Sequence, residues 1–355
     1  MAKTDDKPAL KITLEDLAKV TVPQEAIRVS GGAAAGAARQ YGNISTPAAE
    51  QVVVDEGKSN IFLQGWFYLG VAGTLGALVA WAISEPGFVD ALDQRRWGNV
   101  IMMPLVLTLM CLGFGVAESL VERSFQKAAW RGLLVLPLGV VFGFVFDFIA
   151  NIVYNIALSV CVELGVQTHK NPAVWIARGF AWMVFGVAGG IVYGLVDRSS
   201  TKVRYGILGG IIGAGLGGMI FDPIAMATHR GSPSRAVGFG LLGLATGVAM
   251  GIVESALKDR WLYVAAGPLA GKQFILYKPV TVIGSAQQSD IYLFKDTSVQ
   301  AQHASIELRG AQTFLHAIGQ VFVSGQPARN RALSTGDLIQ IGRYSFHFRE
   351  RQRNR

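Results

Sequence analysis

The sequence predicts an all-α membrane bundle followed by an all-β sandwich, and three observations support this fold class. Of the 355 residues, 51% are hydrophobic and only 16% are charged, a balance too apolar for an ordinary soluble protein. Long apolar runs occupy the middle of the chain. Short segments rich in β-branched and aromatic residues, separated by turn residues, occupy its C-terminal quarter, as in all-β domains.

The apolar runs number six, and most are near the length of about 20 residues that a helix needs to cross a bilayer. They cover residues 61–83, 100–121, 132–161, 179–196, 205–221 and 236–253. The third run exceeds one bilayer thickness, so it is either one long span or a span followed by a segment along the outer surface. We therefore predict a transmembrane domain of about six helices over residues 61–257.

Residues 1–60 precede the first apolar run and are polar, with a mixed-charge beginning and a Ser-Gly-Gly-Ala-Ala-Ala-Gly tract over 30–36. Such a composition cannot bury enough apolar surface to fold, and no signal peptide is recognisable. We predict a disordered cytosolic tail. An even number of spans then places the C-terminus on the cytoplasmic side as well.

Three stretches near the ends of the even-numbered runs resemble one another, at 115–122, 190–197 and 247–254, each beginning with Gly and ending with Glu or Asp. Self-similarity of this kind predicts three helix hairpins. Because an even number of spans separates the copies, the hairpins are expected to be parallel repeats. Small residues also share one face of the fifth run, which predicts close helix contacts; they are Gly206, Gly209, Gly210, Gly213, Gly217 and Gly218.

Ionisable residues within the apolar runs admit two interpretations. The outer ends of the odd-numbered runs carry Glu85, Asp147 and Asp222. In the first interpretation, each acid forms a structural ion pair with the arginine that begins the next run, namely Arg96, Arg178 and Arg235 respectively. In the second, an intramembrane polar site for transport is formed by Glu118, Asp147, Asn151 and Asn155.

The C-terminal segments recur every eight to twelve residues, which is typical of a β-sandwich. Near the end of the chain, Phe346 and Phe348 alternate with Ser345, His347 and Arg349, as in a half-buried strand. We predict a cytosolic β-sandwich over residues 258–351, followed by a basic tail over residues 352–355.

Framework positions of this region resemble a forkhead-associated (FHA) domain in their order and spacing; they are Gly284, His303, Gly336 and Asp337. The resemblance covers about a quarter of the chain. An FHA domain captures a phosphothreonine peptide through an Arg after the framework glycine, a Ser shortly before the framework His, and an Asn-Gly pair in a later loop. Here those positions are Ser285, Gln300 and Gly319-Gln320.

The resemblance therefore implies an interaction module whose peptide-binding face is made of neutral residues, which are Ser285, Gln300, Gln302, Gly319 and Gln320. A phosphate group is normally met by charge-assisted hydrogen bonds, and none of these residues is a cation. We expect a cytosolic protein or peptide as the partner, without phosphothreonine binding of the family kind.

No constellation of catalytic residues is recognisable. The five His residues are scattered, and neither Cys111 nor Cys161 has a His or Cys partner at metal-ligand spacing. We predict no enzymatic activity, no metal site, no cofactor and no nucleic-acid partner.

These observations predict a multi-pass plasma-membrane (inner-membrane) scaffold or adaptor with both termini in the cytoplasm. From Lys258 onward the chain carries 13 Lys and Arg against 6 Asp and Glu, most of its net charge of +8, so the C-terminus can attract anionic lipid headgroups. The alternative is a channel or transporter regulated by the FHA-like module. The two differ in whether Glu118, Asp147 and Asn151 converge on a water-accessible cavity. A homo-oligomer is compatible with both.

Overall fold

A computed structural model describes residues 60–89, 96–166, 170–228 and 231–351. Within these ranges six helices are long and apolar enough, by length and composition, to cross a membrane. They are α1 (Gly65–Ser84), α2 (Trp97–Val121), α3 (Phe125–Glu163), α4 (Pro172–Val196), α5 (Ser200–Ala227) and α6 (Ser232–Leu257). Two predicted segments, the tail of residues 1–60 apart from Asn60 and the basic tail of residues 352–355, lie outside the described ranges.

The six helices form a closed ring. Each packs against the next along the chain, and α6 packs back against α1. Contacts of α2 with α4 cross the interior of the ring. Large side chains of α2, α4 and α6 fill this interior and are almost fully buried; they include Met110, Phe114, Trp182, Phe185, Phe239 and Met250.

Glycines set the distance between neighbouring helices. A Cβ atom added to Gly213 of α5 would lie 2.5 Å from the Cα atom of Thr246 on α6, and one added to Gly209 would lie 2.5 Å from the Cα atom of Met250. On its other side, α5 meets α4 through Gly210 and Gly186, where an added Cβ would lie closer than 3.0 Å to backbone of the other helix. The predicted glycine face therefore packs against both neighbours, as expected where close approach drives association.

The third apolar run forms one unbroken helix. α3 extends over 39 residues, a length of about 58 Å at 1.5 Å per residue. This answers the choice left open by the sequence, because α3 does not divide into a span and a separate surface segment.

The same turn ends both α2 and α4. Arg123 and Arg198 have positive φ angles of 56° and 52°, and the backbone N–H of the following serine donates to a carbonyl five residues earlier in each case. A residue with positive φ after a helix is typical of a Schellman turn. α6 has no such turn, because Lys258 and Asp259 lead directly into the first strand.

The C-terminal region is a sandwich of two sheets. Its strands are β1 (Arg260–Ala266), β2 (Gln273–Ile275), β3 (Val280–Gly284), β4 (Ile291–Tyr292), β5 (Ala304–Arg309), β6 (Gln312–Ala317), β7 (Val321–Val323), β8 (Gln326–Pro327), β9 (Asn330–Leu333), β10 (Leu338–Ile341) and β11 (Tyr344–Glu350). One sheet has the order β2-β1-β11-β10-β7-β8 and the other β4-β3-β5-β6-β9. β3 and β4 pair in parallel. The predicted combination of six apolar helices and an all-β sandwich is confirmed.

Alternation along the strands produces the core between the sheets. In β11, Tyr344, Phe346 and Phe348 are fully buried, whereas His347 and Arg349 are partly exposed. β11 pairs with β1 from Arg260 opposite Glu350 to Ala266 opposite Ser345. The first and last strands of the sandwich are therefore neighbours in its larger sheet.

Candidate functional site

A cluster of buried charges lies where the helices meet the sandwich. We name it the junction cluster and define it by seven residues: Glu118, Glu122, Arg131, Asp197, Lys202, Glu254 and Lys272. The end of the bundle that carries it is the sandwich end, and the opposite end is the distal end. Six of these residues, all except Lys272, line a cavity of about 90 Å³ together with side chains of β2 and β3.

One ion pair of this cluster joins the two parts of the protein directly. Lys272, in the turn before β2, donates from Nζ to Oε1 of Glu122 at 2.7 Å. The two side chains are only 1% and 2% exposed. Lys127 of α3 donates to the other oxygen of Glu122 at 3.3 Å. Because a buried charge without its partner is costly, these contacts fix the sandwich against the end of α2.

A second set of ion pairs ties α2, α3, α4 and α5 together. Lys202 donates from Nζ to Glu118 at 2.7 Å and also to Asp197. Arg131 donates to Asp197 in turn. The Lys202 ammonium group also lies 4.2 Å from the ring centre of Tyr193. Lys202 is 2% exposed, so its charge is compensated by neighbouring groups of the protein.

Glu254 of α6 connects to the sandwich through a tyrosine. Its carboxylate accepts hydrogen bonds from the hydroxyl groups of Tyr193, at 2.8 Å, and of Tyr277, at 2.5 Å. Tyr277 follows β2, and its pKa is raised well above the ordinary value by burial and by the negative charge of Glu254. Tyr277 therefore keeps its proton and acts as a hydrogen-bond donor across the junction.

The turn between α2 and α3 also contacts the loop that follows the framework glycine Gly284. Ser124 donates to the carbonyl of Gln287 at 3.4 Å, and Lys127 donates to the carbonyl of Asp290 at 3.2 Å. The guanidinium group of Arg123 lies 5.7 Å from the ring centre of Phe294. One loop beside the predicted peptide-binding face is thus occupied by contacts with the helices.

Four of the five predicted peptide-binding residues are brought together around His303. Its Nδ1 accepts from the backbone N–H of Gln300 at 3.1 Å, so its Nε2 carries the proton and donates to the carbonyl of Gln320 at 3.0 Å. The N–H of Gly319 donates to the carbonyl of His303, and the N–H of Ser285 donates to that of Gln300. Gln302, in the same loop as Gln300, is exposed, as are the side chains of Gln300 and Gln320.

The hydroxyl group of Ser285 is engaged within the sandwich. It donates to the carbonyl of Val299 at 2.8 Å. The face therefore offers the neutral amide groups of Gln300, Gln302 and Gln320, without a cation among its five residues. Hydrogen bonds to neutral peptide groups are the chemistry that this arrangement can provide.

Local backbone geometry explains the other framework residues, Gly284, Gly336 and Asp337. A Cβ atom at Gly284 would collide with the carbonyl oxygen of Ala301. Gly336 has a φ of 99°, which favours glycine. Asp337 accepts from the N–H of Ser334 at 2.8 Å and from the hydroxyl group of Ser324 at 3.2 Å, so it fixes the turn before β10.

Asp296 fixes the loop that leads to this face. It accepts from the N–H and the hydroxyl group of Ser298, at 3.0 and 2.6 Å, and from the N–H of Arg343 at 2.8 Å. Burial alone would raise the pKa of Asp296, but these hydrogen bonds outweigh it and lower the pKa. Beside this loop lies a cleft of about 340 Å³, lined by Ser298, His303, Gln320, Phe322, Gln340, Gly342 and Ser345.

The predicted intramembrane polar site does not assemble. Glu118 belongs to the junction cluster, whereas Asn151 and Asn155 are exposed on the outward face of α3. Each asparagine donates to the carbonyl four residues earlier, at 2.9 and 2.8 Å. Asp147 lies 16 residues beyond Arg131 on α3, about 24 Å along the helix axis, while Arg131 contacts Glu118 at 3.8 Å. The structure therefore separates Glu118 from the other three residues.

The predicted ion pairs at the distal end are wrong in their partners. Arg178 pairs with Asp222 at 2.8 Å instead of Asp147, and Arg235 pairs with Glu85 at 2.5 Å instead of Asp222. Within the described ranges, neither Asp147 nor Arg96 forms an ion pair. The reason is the ring: an arginine at the start of one helix faces the next helix around the ring, not the acid of its own hairpin.

The two charge layers are separated by about one bilayer thickness. Arg178 and Asp197 are 19 residues apart along α4 and its cap, and Lys202 and Asp222 are 20 residues apart on α5. At 1.5 Å per residue these distances are about 28 and 30 Å, close to the hydrocarbon thickness of about 30 Å. The charges therefore bracket an apolar belt of the length that a membrane requires.

Sequence reasoning missed the junction cluster, although part of its signal was visible. Glu122, Asp197 and Glu254 end the three repeated stretches, and acids at equivalent positions of helices that run in the same direction are expected to lie at one end of a bundle. Lys272 gives no such signal, because its contact with Glu122 joins positions 150 residues apart. The described residues contain no group of three or more His, Cys, Asp or Glu side chains that could hold a metal ion.

The sandwich matches a known protein family. The family described as "Inner membrane component of T3SS, cytoplasmic domain" matches residues 263–352. The oxoglutarate dehydrogenase inhibitor of Corynebacterium efficiens is 34% identical over 90 residues, which are 24% of this chain and 63% of that protein. The glycogen accumulation regulator GarA of Mycolicibacterium smegmatis is also 34% identical over 90 residues, 24% of this chain and 56% of that protein. The chain thus spans less than two thirds of either relative.

Among solved structures, the FHA domain of the CT664 protein from Chlamydia trachomatis is 25% identical and covers 27% of this chain and 100% of that one, with a TM-score of 0.25. The helical region has no counterpart in these matches. Taken with the two-sheet topology and the framework geometry, the sequence matches show that the C-terminal region has an FHA-like fold.

Proposed function

We propose that this protein is an integral membrane scaffold that holds an FHA-like interaction module in one fixed position against the ends of its helices. The observation that carries the proposal is the buried ion pair between Lys272 and Glu122. Supporting contacts come from Tyr277 to Glu254 and from Lys127 to the carbonyl of Asp290. A module held in this way presents its loops in a constant orientation and does not move as it would on a flexible linker.

The proposed location is the inner membrane, with several spans and with both termini in the cytoplasm. The even number of spans supports this topology, as does the match of the sandwich to a cytoplasmic domain of an inner-membrane component. In this orientation the junction cluster lies at the cytoplasmic surface. The basic C-terminus would then lie beside anionic lipid headgroups.

The proposed partner is a cytosolic protein that binds through neutral hydrogen-bonding groups. Gln300, Gln302 and Gln320 are exposed, and the cleft lined by Gln320 and Gln340 is adjacent. Binding of a partner to these groups requires no catalytic residue and no phosphate. The transport alternative has less support, because the polar residues on which it depended lie at different places in the bundle.

Site-specific photo-crosslinking tests the scaffold role. A photoreactive amino acid replaces Gln302 in the full chain, and a matched control replaces Gln326, which is also exposed but lies on β8. We expect a discrete adduct with one cytosolic protein from position 302 only. Adducts of equal yield from both positions would contradict the proposed binding face.

A flux measurement on reconstituted vesicles tests the alternative. We expect no ion or solute flux from the wild-type chain. A flux that Asp147→Asn or Asn151→Leu abolishes while the protein stays folded would replace the scaffold role with transport.

A further inference from the structure

A pocket of about 390 Å³ opens at the distal end of the ring, between α2, α4, α5 and α6. This volume is within the range of small-molecule sites, about 300 to 1,000 Å³. The pocket lies at the end opposite the sandwich, among residues at the beginnings of α4 and α6 and at the end of α5. It is therefore separate from the FHA-like face and from the junction cluster.

The floor of the pocket is aromatic. The ring centres of Trp182 and Phe221 are 4.9 Å apart, and those of Phe221 and Phe239 are 5.6 Å apart. Trp182 and Phe239 are also roughly parallel to one another, with centres 6.4 Å apart. Met102 and Met103 of α2 line the pocket as well. Such a floor fits an apolar or aromatic body.

Arg178, Asp222 and Arg235 line the rim of the pocket; Arg178 pairs with Asp222, and Arg235 pairs with Glu85 outside the lining, so the four charges sum to zero. Arg178 donates to Asp222 through Nε at 2.8 Å and to the hydroxyl group of Tyr154 through Nη2 at 3.3 Å. Arg235 donates to both oxygens of Glu85, at 2.5 and 3.0 Å. A guanidinium group has five N–H donors and a carboxylate has about four acceptor sites. The Arg178 pair can therefore accommodate an additional anionic group and an additional cationic group.

We propose that this pocket binds a small zwitterion with an apolar body. Its anionic group would hydrogen-bond to Arg178, its ammonium group to Asp222, and its apolar body would lie on Trp182, Phe221 and Phe239. A ligand with a single charge would hydrogen-bond to one member of the Arg178–Asp222 pair and would displace water from the other member without replacing its hydrogen bonds, which carries a desolvation cost. A wholly apolar ligand would displace water from both charges and replace none of their hydrogen bonds.

Two sources can supply this chemistry: a free apolar amino acid in the outer aqueous phase, or the headgroup of an aminophospholipid. Both combine a primary ammonium group with an anion. The rim lies at the distal end of the bundle, among the charges one bilayer thickness from the junction cluster. Either a dissolved amino acid or a lipid headgroup can therefore reach it.

Titration of the purified full chain tests the proposal. The probes are L-phenylalanine and L-leucine, with 3-phenylpropanoate and 2-phenylethylamine as analogues that each lack one charge. We expect saturable binding of the amino acids by calorimetry, and binding of each analogue weaker by about tenfold or more. Ala225→Phe inserts a ring into the pocket and should weaken binding by about tenfold or more, while Ala227→Phe, an exposed position on the same helix, should change it less than about twofold.

Nanodiscs distinguish the two sources. Binding of the amino acids in pure phosphatidylglycerol nanodiscs identifies a free solute. Retention of phosphatidylethanolamine by the wild type but not by Ala225→Phe, seen by native mass spectrometry, identifies the headgroup. The proposal is overturned if neither the amino acids nor phosphatidylethanolamine bind. It is also overturned if binding survives Ala225→Phe while Ala225→Phe and Ala227→Phe both retain the thermal stability of the wild type.

Discussion

Lys272 of the sandwich and Glu122 at the end of α2 form an ion pair of 2.7 Å in which both side chains are almost fully buried. It connects two parts of the chain that lie 150 residues apart. The pair is the structural basis for treating the helices and the sandwich as one unit.

Lys272→Met should destabilise the protein strongly. Removing one partner of a buried ion pair costs about 3 to 5 kcal/mol, because the other charge stays buried. Lys127, which still reaches Glu122 at 3.3 Å, places the expected cost at the lower end of that range. The measurement is the thermal unfolding midpoint of the full chain in detergent. The matched control is Lys278→Met, whose side chain is 34% exposed in its pair with Asp290 and should cost less than about 1 kcal/mol. Equal midpoints for the two variants would contradict the role of Lys272.

The distal ion pairs predict which double substitution restores stability. Glu85→Gln should cost about 1 to 3 kcal/mol, since Arg235 loses a charged hydrogen-bond partner. Exchanging the charges with Glu85→Arg and Arg235→Glu should recover part of that loss. The exchange Asp222→Arg with Arg235→Asp should not restore stability relative to either of its single substitutions, because Asp222 and Arg235 are not partners. If stability is recovered by the Asp222/Arg235 exchange and not by the Glu85/Arg235 exchange, the pairing of Asp222 with Arg235 expected from the sequence would be favoured. Thermal unfolding midpoints again provide the comparison.

Gly213→Ala should destabilise the bundle, because its new Cβ atom would lie 2.5 Å from the Cα atom of Thr246. Gly132→Ala is the matched control. Its Cβ atom would lie 3.6 Å from the nearest side-chain atom, so it should be neutral or slightly stabilising through helix propensity. Leu216→Ala, at a side chain 53% exposed on the same helix, should also have little effect. If Gly213→Ala melts at the same temperature as both controls, packing through the glycine face is not essential.

Asp296 predicts a pH dependence with a definite sign. Its folded-state pKa lies below the ordinary value of 3.8, so the carboxylate stabilises the fold above that pH, and this stabilisation is lost as the pH falls through the lowered pKa. Asp296→Asn should therefore melt at a lower temperature than the wild type at neutral pH. The difference should narrow below about pH 4. A difference that stays constant down to about pH 3 would show that the charge of Asp296 is not involved.

The neutral face predicts that phosphorylation of a peptide does not increase its affinity. Calorimetry of the full chain against paired phosphothreonine and threonine peptides should give equal affinities, because Ser285, Gln300 and Gly319 provide no cation for the phosphate. The prediction fails if binding is submicromolar, depends on the phosphate and survives substitution of Arg349 and Arg351. Those two arginines serve as the control for nonspecific attraction.

Periodicity and composition predicted the elements well, and pairing between elements poorly. The apolar runs correspond to the six helices, and the alternation of Phe346 and Phe348 identified the last strand, because both signals are local. β9 has no comparable apolar run, since Asn330 and Arg331 occupy half of it. The partners of Arg178 and Arg235 depend on how the helices close into a ring, which no local pattern encodes.

The FHA-like face was predictable for a different reason. Gly284 is required by a close contact with the carbonyl of Ala301, and His303 hydrogen-bonds to Gln300 and Gln320. These framework positions resemble an FHA domain even though the neighbouring ligand-binding positions differ from the FHA pattern. The junction cluster has only a partial signature, the acids that end the three repeated stretches. Its residues occupy separate helices and a turn of the sandwich, and they become a site only when the chain is folded.

The direct passage from α6 to β1 has a mechanical consequence. Two residues, Lys258 and Asp259, connect them, and β1 is hydrogen-bonded along its length to β11. Because this connection is so short, an axial shift of α6 by one helical residue, about 1.5 Å, would be transmitted through β1 to the larger sheet. β1 would therefore couple a displacement of the last helix to the sandwich.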